Sequence, residues 1–269
     1  MRAERLRTVT ARLIVLLCAS ALCACGGTDR PAHWDYDEHG PSHWAGLRPD
    51  YALCAEGSHQ SPIDLTTPDI GEPAIAYIEF KMTAGTMVFN DHVEDIIDNG
   101  HSIQVSFDDS TVISLDGADY KLEQFHFHTP SEHTLDGNHF PMEIHFVHRN
   151  KTGRFLVAGV FFVEGEHNQA FDHLVLNLPG RGESRHVEKV ETSLEEMAPG
   201  GARAYRYSGS LTTPPCLEEV IWLISAVPLE MSAKQLETFA SHMGHNARPV
   251  QPLNGRVLSR VRFVDVPLP

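Results

Sequence analysis

The sequence predicts a single mainly β domain with peripheral helices, built on a large, central, twisted, mostly antiparallel sheet of about ten strands. Short segments rich in β-branched and aromatic residues recur along the chain, and Pro-Gly connections at 179–180 and 199–201 separate them. Only two segments show helical spacing, and no repeat or low-complexity linker divides residues 33–269. We therefore expect one domain over that range.

Six segments are predicted strands. Residues 101–107 alternate Ile103, Val105 and Phe107 with polar residues, which is the period-two pattern of a half-buried strand. Nearly continuous apolar runs, typical of strands covered on both faces, occupy 155–163 and 220–227. The remaining predicted strands are 111–115, 120–128 and 142–148.

Two segments have the apolar spacing of helices. The first covers 167–178 and includes Phe171 in its apolar stripe. The second covers 232–243 and opens with Ser232 and Gln235 in capping-box positions. We expect both helices to lie beside the sheet.

Residues 1–25 differ in composition from the rest of the chain. Four arginines precede an apolar run of ten residues at 13–22, which is too short to span a bilayer comfortably but fits the core of a signal peptide. The following Leu22-Cys23-Ala24-Cys25 resembles a bacterial lipobox, whose last cysteine becomes the lipidated first residue of the mature chain. Cys23 stands where Ala or Ser is more usual, so ordinary signal cleavage is the alternative. Residues 26–32 would form a short tether.

The leader predicts an exported protein, periplasmic or at the cell surface, held to the membrane only by lipid at Cys25. Its removal leaves two cysteines, Cys54 and Cys216, in the predicted domain. Because an exported chain meets an oxidising compartment, this pair is a candidate disulfide, with two buried free thiols as the alternative.

The chain carries 36 acidic and 21 basic residues, a net charge of −15. Without residues 1–25 the counts become 35 and 17, so the acidic excess is larger in the mature chain. This balance argues against a nucleic-acid partner, because phosphate binding needs a basic face.

The chain has 17 histidines, and two of them, His126 and His128, lie two positions apart in the segment 124–133. On a strand, His126 and His128 point to one face while Phe125 and Phe127 point to the other. Two adjacent imidazoles on an otherwise apolar strand are costly unless something binds them, so this pattern indicates a metal site.

The predicted strand at 142–148 offers the third ligand, since His145 can lie across from the pair in an antiparallel arrangement. His148 falls on the opposite face, whereas His133 and His139 near the turn are alternative ligands. Three neutral imidazoles without a thiolate suit Zn²⁺, and a three-ligand site leaves one position to water, as in catalytic zinc centres.

Each ligand also needs a partner for its other ring nitrogen. Gln124 and Glu143 each lie two residues before a ligand, on the same face, and are the candidates for this role.

Seven motifs resemble those of the α-class carbonic anhydrases, in the order of that family. They are SHQSPIDL at 58–65, NGHSIQV at 99–105, QFHFH at 124–128, SEH at 131–133, EIHFVH at 143–148, GSLTTPPC at 209–216 and RPVQPLNGR at 248–256. The resemblance extends from about residue 33 to residue 263 and implies reversible hydration of carbon dioxide to bicarbonate and a proton by zinc-bound hydroxide.

The resemblance also implies roles for individual residues. His126, His128 and His145 match the zinc ligands, and Thr212 matches a gatekeeper threonine that passes a hydrogen bond to the carboxylate of Glu132. His101 matches the proton shuttle, which a solvent-accessible imidazole can perform. The other matches are Tyr36, Asn99 and Gln104 in the water network of the shuttle; Val147, Val157, Leu211 and Trp222 in the apolar wall for carbon dioxide; Thr213 on the bicarbonate side; and Cys54 with Cys216 in the disulfide of many bacterial members.

Two departures from the animal enzymes are visible. The link 129–131 before Glu132 is shorter and is similar to the bacterial and plant branches, and Gln104 stands where Asn is frequent. Two other functions remain as alternatives: a surface-anchored adhesin or zinc-holding module on the same scaffold, and a zinc esterase. Neither alternative uses the full set of matched residues, and no nucleophile elbow supports an esterase as the main activity. The oligomeric state has no signal in the sequence.

Overall fold

The largest element of the computed structural model is a sheet of twelve strands. This count covers the residues that the structure describes, which are 32–66, 77–79, 88–90, 93–98, 101–107, 112–185, 189–191, 197 and 203–264. The strands in chain order are β1 Tyr77–Glu79, β2 Val88–Asn90, β3 Val93–Asp98, β4 Ile103–Phe107, β5 Val112–Leu115, β6 Ala118–His128, β7 Thr134–Leu135, β8 Asn138–His139, β9 Met142–Asn150, β10 Phe155–Glu164, β11 Ser184–Arg185, β12 Lys189–Glu191, β13 Arg203–Ser210, β14 Glu218–Ser225, β15 Leu229–Met231 and β16 Ser259–Val264.

The main path of the sheet runs β1-β16-β13-β14-β10-β9-β6-β4-β3-β11, with β15 beside β10 and β5 beside β6. Three pairings are parallel, β1 with β16 and β10 with β14 and β15, and the other pairings of the described sheet are antiparallel. The prediction of a mostly antiparallel sheet of about ten strands is confirmed.

All six predicted strands are present, with ends that shift by at most two residues. Strands β10 and β14 are buried along most of their length, as their continuous apolar runs predict. The prediction missed the other ten described strands, most of which have two or three residues. Among the longer ones, arginines interrupt the apolar pattern of β13 and β16.

One irregularity in β6 decides which side chains face the site. The register with β9 shifts between Leu122 and Gln124, so Glu123 forms a bulge. Leu122 and Phe125 therefore lie in the same apolar cluster although they are three positions apart and would face opposite sides of a regular strand. Beyond the bulge, the phenylalanines of the His-Phe-His segment point into this core and its histidines point to the other face.

Helices lie at the periphery: α1 Trp44–Leu47, α2 Leu53–Glu56, α3 Asp172–Leu176 and α4 Ala233–Met243. Ser232 and Gln235 form the predicted capping box of α4, and Phe239 from α4 packs on Phe127 of β6 at 4.7 Å between ring centroids. Helix α4 thus supports the strand of the histidine pair from behind.

The predicted helix over 167–178 is shorter than expected. A 3-10 turn at Gln169–Phe171 precedes α3, and the side chain of Asn168 caps that turn by accepting from the N–H of Ala170. Because of this cap the helical segment begins at Gln169 instead of the predicted residue 167. It ends at Leu176, before Pro179, which cannot continue a helix.

The candidate disulfide is present between Cys54 and Cys216, which are 162 residues apart in sequence. It lies among buried aromatic residues that include Trp44 and Tyr51. In the part of the chain that the structure describes, no helix is long and apolar enough to cross a membrane. The predicted leader and Cys25 lie outside the described residues.

Candidate active site

Three histidines converge on the face of the sheet opposite the phenylalanine core. His145 on β9 lies directly across from His126 on β6 in the strand register, and His128 is two residues further along β6. Their ring centroids are 4.6 to 5.3 Å apart, and one nitrogen from each ring lies within 4.8 Å of the others. The structure therefore brings together the three residues predicted as metal ligands.

The outer nitrogen of each ring lies within 3 Å of an oxygen atom. His126 Nδ1 lies 2.8 Å from Gln124 Oε1, and His145 Nε2 lies 2.9 Å from Glu143 Oε1, as the sequence predicts for both pairs. His128 Nδ1 donates to the backbone carbonyl of Asn246 at 2.8 Å. These contacts leave His126 Nε2, His128 Nε2 and His145 Nδ1 for a ligand.

His128 Nε2 carries the strongest indication of a ligand. The atom is buried and has no hydrogen-bond partner among the described residues. Because a buried polar atom without a partner is destabilising, such an atom in a native site requires an explanation. A bound metal ion supplies one, since the proton on Nδ1 leaves the Nε2 lone pair free.

The electrostatic surroundings favour neutral imidazoles in the β6 pair. Burial, followed by the neighbouring histidines, holds the pKa of His126 well below its usual range. Burial also lowers the pKa of His128. For His145, burial acts in the same direction but the Glu143 carboxylate outweighs it and raises the pKa. Neutral imidazole is the form that binds metal.

Glu143 is fully buried and organises the floor of the site. Although burial opposes its ionisation, His133 and His145 hold the pKa of Glu143 well below its usual range. Its Oε2 accepts from the backbone N–H groups of Glu132 and His133, each at 2.9 Å. A Cβ on Gly159 would lie 3.0 Å from Glu143 Oε1, closer than an ordinary van der Waals contact, so an alanine there would press on this carboxylate.

The other buried carboxylate, Glu132, has one satisfied and one free oxygen. Its Oε1 accepts from the backbone N–H of Arg248 at 2.9 Å. Its Oε2 is buried without a hydrogen-bond partner among the described residues. Glu132 thus has an acceptor site available for a hydroxyl donor, which is the role that the resemblance gives to Thr212.

A cavity of about 240 Å³ opens beside the histidines. Its walls are formed by Glu123, Gln124, His126, His145, Val147, Phe155, Val157, Leu211, Thr212, Thr213 and Trp222. All five predicted substrate-contacting residues line it, and so does Thr212. The strand register explains the apolar wall, because Val147, Val157 and Trp222 are directly opposite one another on adjacent strands.

His101 precedes β4 and is not among the residues that line this cavity. Its half-exposed ring stacks on Trp34, with the centroids 3.9 Å apart. Tyr36 packs edge-on against the same tryptophan, and Gln104 lies across from His126 in the strand register. Asn99, the third predicted member of the shuttle network, lies outside the described residues.

The alternative ligands have other partners. His133 is fully buried between Glu143 and the hydroxyl of Tyr207, at 2.8 and 2.6 Å. His139 Nδ1 lies 2.7 Å from the carbonyl of Ser131. His148 is buried on the opposite face, where burial lowers its pKa to about 4.

Sequence reasoning missed Asn246. Besides the contact of its carbonyl with His128, its side-chain amide donates to the carbonyls of Phe127 and His101, each at 2.9 Å, and accepts from the N–H of Thr129. The sequence also gave no prediction of a role in the site for Gly159 or Phe155. The motif at 248–256 lies close to Asn246 in sequence and is the one signal that points towards this segment.

Comparisons with known proteins agree with this geometry. A family model described as eukaryotic-type carbonic anhydrase matches residues 39–262. A carbonic anhydrase of Pectobacterium carotovorum is 36% identical over 249 residues, which cover 92% of this chain and 98% of that protein. A carbonic anhydrase of Klebsiella pneumoniae is 38% identical and covers 84% and 90%.

Solved structures give the same result. The α-carbonic anhydrase from Thermovibrio ammonificans, solved with the inhibitor sulfanilamide, superposes with a TM-score of 0.77 at 41% identity, covering 86% of this chain and all of that one. The extent of the family match, the identity of the relatives and the shared fold show that the chain belongs to the eukaryotic-type carbonic anhydrase family.

Proposed function

We propose that this protein catalyses the reversible hydration of carbon dioxide, with Zn²⁺ held by His126, His128 and His145. The observation that carries the proposal is the set of three converging imidazoles, each with its outer nitrogen within 3 Å of an oxygen atom, beside a largely apolar cavity. The family membership supports the same activity.

The donor set fits zinc. Three imidazole nitrogens without a thiolate are the ligand set of catalytic rather than structural sites, and they leave a position open. The buried, unpartnered Nε2 of His128 supports an ion at this place. When bound, zinc lowers the pKa of a coordinated water to about 7, a magnitude taken from carbonic anhydrase itself, and so supplies hydroxide at neutral pH.

The residues around the proposed ion would bind the substrate and orient the nucleophile. Val147, Val157 and Trp222 present the apolar surface that a small, uncharged, linear substrate requires. Glu132 Oε2 has no hydrogen-bond partner among the described residues, and we propose that the Thr212 hydroxyl donates to it when the site is loaded. The threonine oxygen would then be left as an acceptor that orients the nucleophile. Thr212 lines the cavity, and its backbone N–H would polarise the substrate oxygen on which negative charge develops.

Each hydration releases a proton, and His101 passes it to the buffer. Its ring is half-exposed, and its backbone carbonyl accepts from the side chain of Asn246, the residue whose carbonyl contacts His128. An imidazole exchanges protons readily near neutral pH. The stacking on Trp34 gives the ring a flat surface on which it can be held.

The experiment is a carbon dioxide hydration assay on purified protein and on His126→Ala. We expect the variant to lose zinc and activity while its circular dichroism spectrum stays native. His242→Ala, an exposed histidine on α4, is the matched control and should behave as the parent. Full activity in His126→Ala, or an inactive parent that is folded and zinc-loaded, would contradict the proposal.

We further propose that the protein is exported and anchored by lipid at Cys25. The charge and apolar run of residues 1–25 and the disulfide of the domain support this location. Mass spectrometry of the mature N-terminus tests it: an acylated Cys25 is the expected result, and an unmodified N-terminus would indicate plain secretion.

A further inference from the structure

A second group of possible metal ligands lies in the N-terminal segment, outside the triad. His33, Asp35 and His39 each offer one ligand atom, and these atoms lie within 4.8 Å of one another. We propose that these three residues form a second divalent transition-metal site, for Zn²⁺ or Cu²⁺, on the surface beside His101.

The spacing of the three ligand atoms suits such an ion. Asp35 Oδ2 lies 3.3 Å from His39 Nδ1 and 3.8 Å from His33 Nε2. Two ligands that each bind zinc at about 2.0–2.1 Å in a tetrahedral arrangement are about 3.3 Å apart. Only His33 needs to move, and its side chain is 74% exposed and free to do so.

The carboxylate is held in place before any ion binds. Asp35 Oδ1 accepts from the backbone N–H groups of Asp37 and His39, at 2.9 and 2.7 Å, which leaves Oδ2 to face the two imidazoles. The Asp35 carbonyl accepts from the indole N–H of Trp44, a fully buried residue. A fixed carboxylate lowers the entropy that is lost on binding.

The donor types select the class of ion. Two imidazoles and one carboxylate favour borderline metals such as zinc and copper over magnesium and calcium, which prefer all-oxygen ligands. The exposure of both histidines leaves the remaining coordination positions to water. The acidic excess of the chain favours the approach of any cation.

The site would lie next to the proposed shuttle. The ring centroids of His33 and His101 are 6.1 Å apart. Trp34, which lies between His33 and Asp35 in the sequence, stacks on the ring of His101. The proposal does not depend on the activity of the triad, because it concerns a separate ion with its own ligands.

The test is equilibrium dialysis of the tag-free, zinc-loaded protein against increasing free Zn²⁺, with bound zinc counted per chain. We expect the parent to bind a second equivalent that a weak chelator removes while the first remains. His39→Ala and His33→Ala should each weaken the second equivalent by at least about tenfold and keep the first. Because His33 is so exposed, its variant should fold normally.

His167→Ala is the matched control. His167 also faces an aspartate, Asp172 at 2.8 Å, with both side chains exposed, but that pair has only one histidine. We expect this variant to bind two equivalents. Cu²⁺ added to the zinc-loaded parent should show nitrogen coupling in its electron paramagnetic resonance spectrum, which His39→Ala reduces. A parent that binds no second equivalent, or variants that bind it with unchanged affinity, would overturn the proposal.

Discussion

A backbone carbonyl determines how His128 is used. The backbone carbonyl of Asn246 accepts from His128 Nδ1–H, which fixes the tautomer and leaves the Nε2 lone pair directed at the site. This contact does not depend on the side chain at position 246. Gln124 does the same for His126 through a side-chain oxygen. In both histidines, an oxygen acceptor therefore holds the proton on Nδ1 and leaves Nε2 available to bind a metal ion.

At the same scale, His101 can be separated from the chemistry of hydration. We expect His101→Ala to lower kcat in dilute buffer by roughly 10²-fold, the low end of the range for general acid–base residues, because proton release becomes slow. The ratio kcat/KM should stay unchanged, since it reports the steps before that release. Stopped-flow hydration measures both.

Added imidazole provides the control for this prediction. A diffusible imidazole should restore the kcat of His101→Ala, because it replaces the missing proton acceptor. An equal fall in kcat and kcat/KM, without rescue, would show that His101 supports the site structurally instead.

At the scale of the strands, a bulge and a glycine position the site. The bulge at Glu123 reverses the alternation of β6, so that Gln124 and the histidine pair lie on the face of the triad while Leu122 stays in the core. Gly159 on β10 lies across from His145, where its missing side chain makes room for Glu143.

Gly159→Ala tests this arrangement. The added Cβ would lie 2.6 Å from Ile224 Cδ1 and 3.0 Å from Glu143 Oε1, so one of them must move. We expect about 1–3 kcal/mol lower stability and zinc affinity reduced by about tenfold, because Glu143 orients His145. Denaturant titration and competition with a chelator measure the two effects.

Gly46→Ala is the matched control, because a Cβ at that position meets no atom within 4 Å. Its zinc affinity should equal that of the parent, and its stability should be equal or slightly higher, because alanine loses less backbone entropy on folding than glycine. If Gly159→Ala also leaves both quantities unchanged, the close approach at β10 does not constrain the site.

These elements show what a sequence can predict. The His-Phe-His pattern lies on one side of the bulge, so local alternation was sufficient to place its two faces correctly. The contact from Asn246 to His128 joins residues 118 apart through a backbone carbonyl, which every residue type possesses. Gly159 has no side chain that could indicate a role. The cap formed by Asn168 is a single local contact, and the periodicity of apolar residues does not predict it.

At the scale of the molecule, a disulfide and a buried arginine join distant segments around the site. Cys216 follows the loop of Thr212 and bonds to Cys54, whose carbonyl accepts from the Arg248 guanidinium at 2.7 Å. The backbone N–H of Arg248 in turn holds Glu132. The N-terminal segment, the loop of Thr212 and the buried carboxylate of Glu132 are thus linked.

The disulfide should contribute much of the stability. It closes a loop between residues 162 apart, and in the chain-entropy model a loop of that size is worth about 4–5 kcal/mol. We expect Cys54→Ser combined with Cys216→Ser to lower the free energy of unfolding by up to that amount in urea titrations. Reductant should destabilise the parent similarly and leave the double variant unaffected; equal stability of parent and variant would refute the assignment.

The most direct test of the proposed zinc-dependent activity is to follow zinc content and carbon dioxide hydration in one sample through metal removal and return. We expect a chelator to remove the zinc and the activity together while the fold persists, and added Zn²⁺ to restore both in proportion. Hydration activity that persists in the zinc-free protein, or its absence from folded protein with zinc on the triad, would contradict the proposed function.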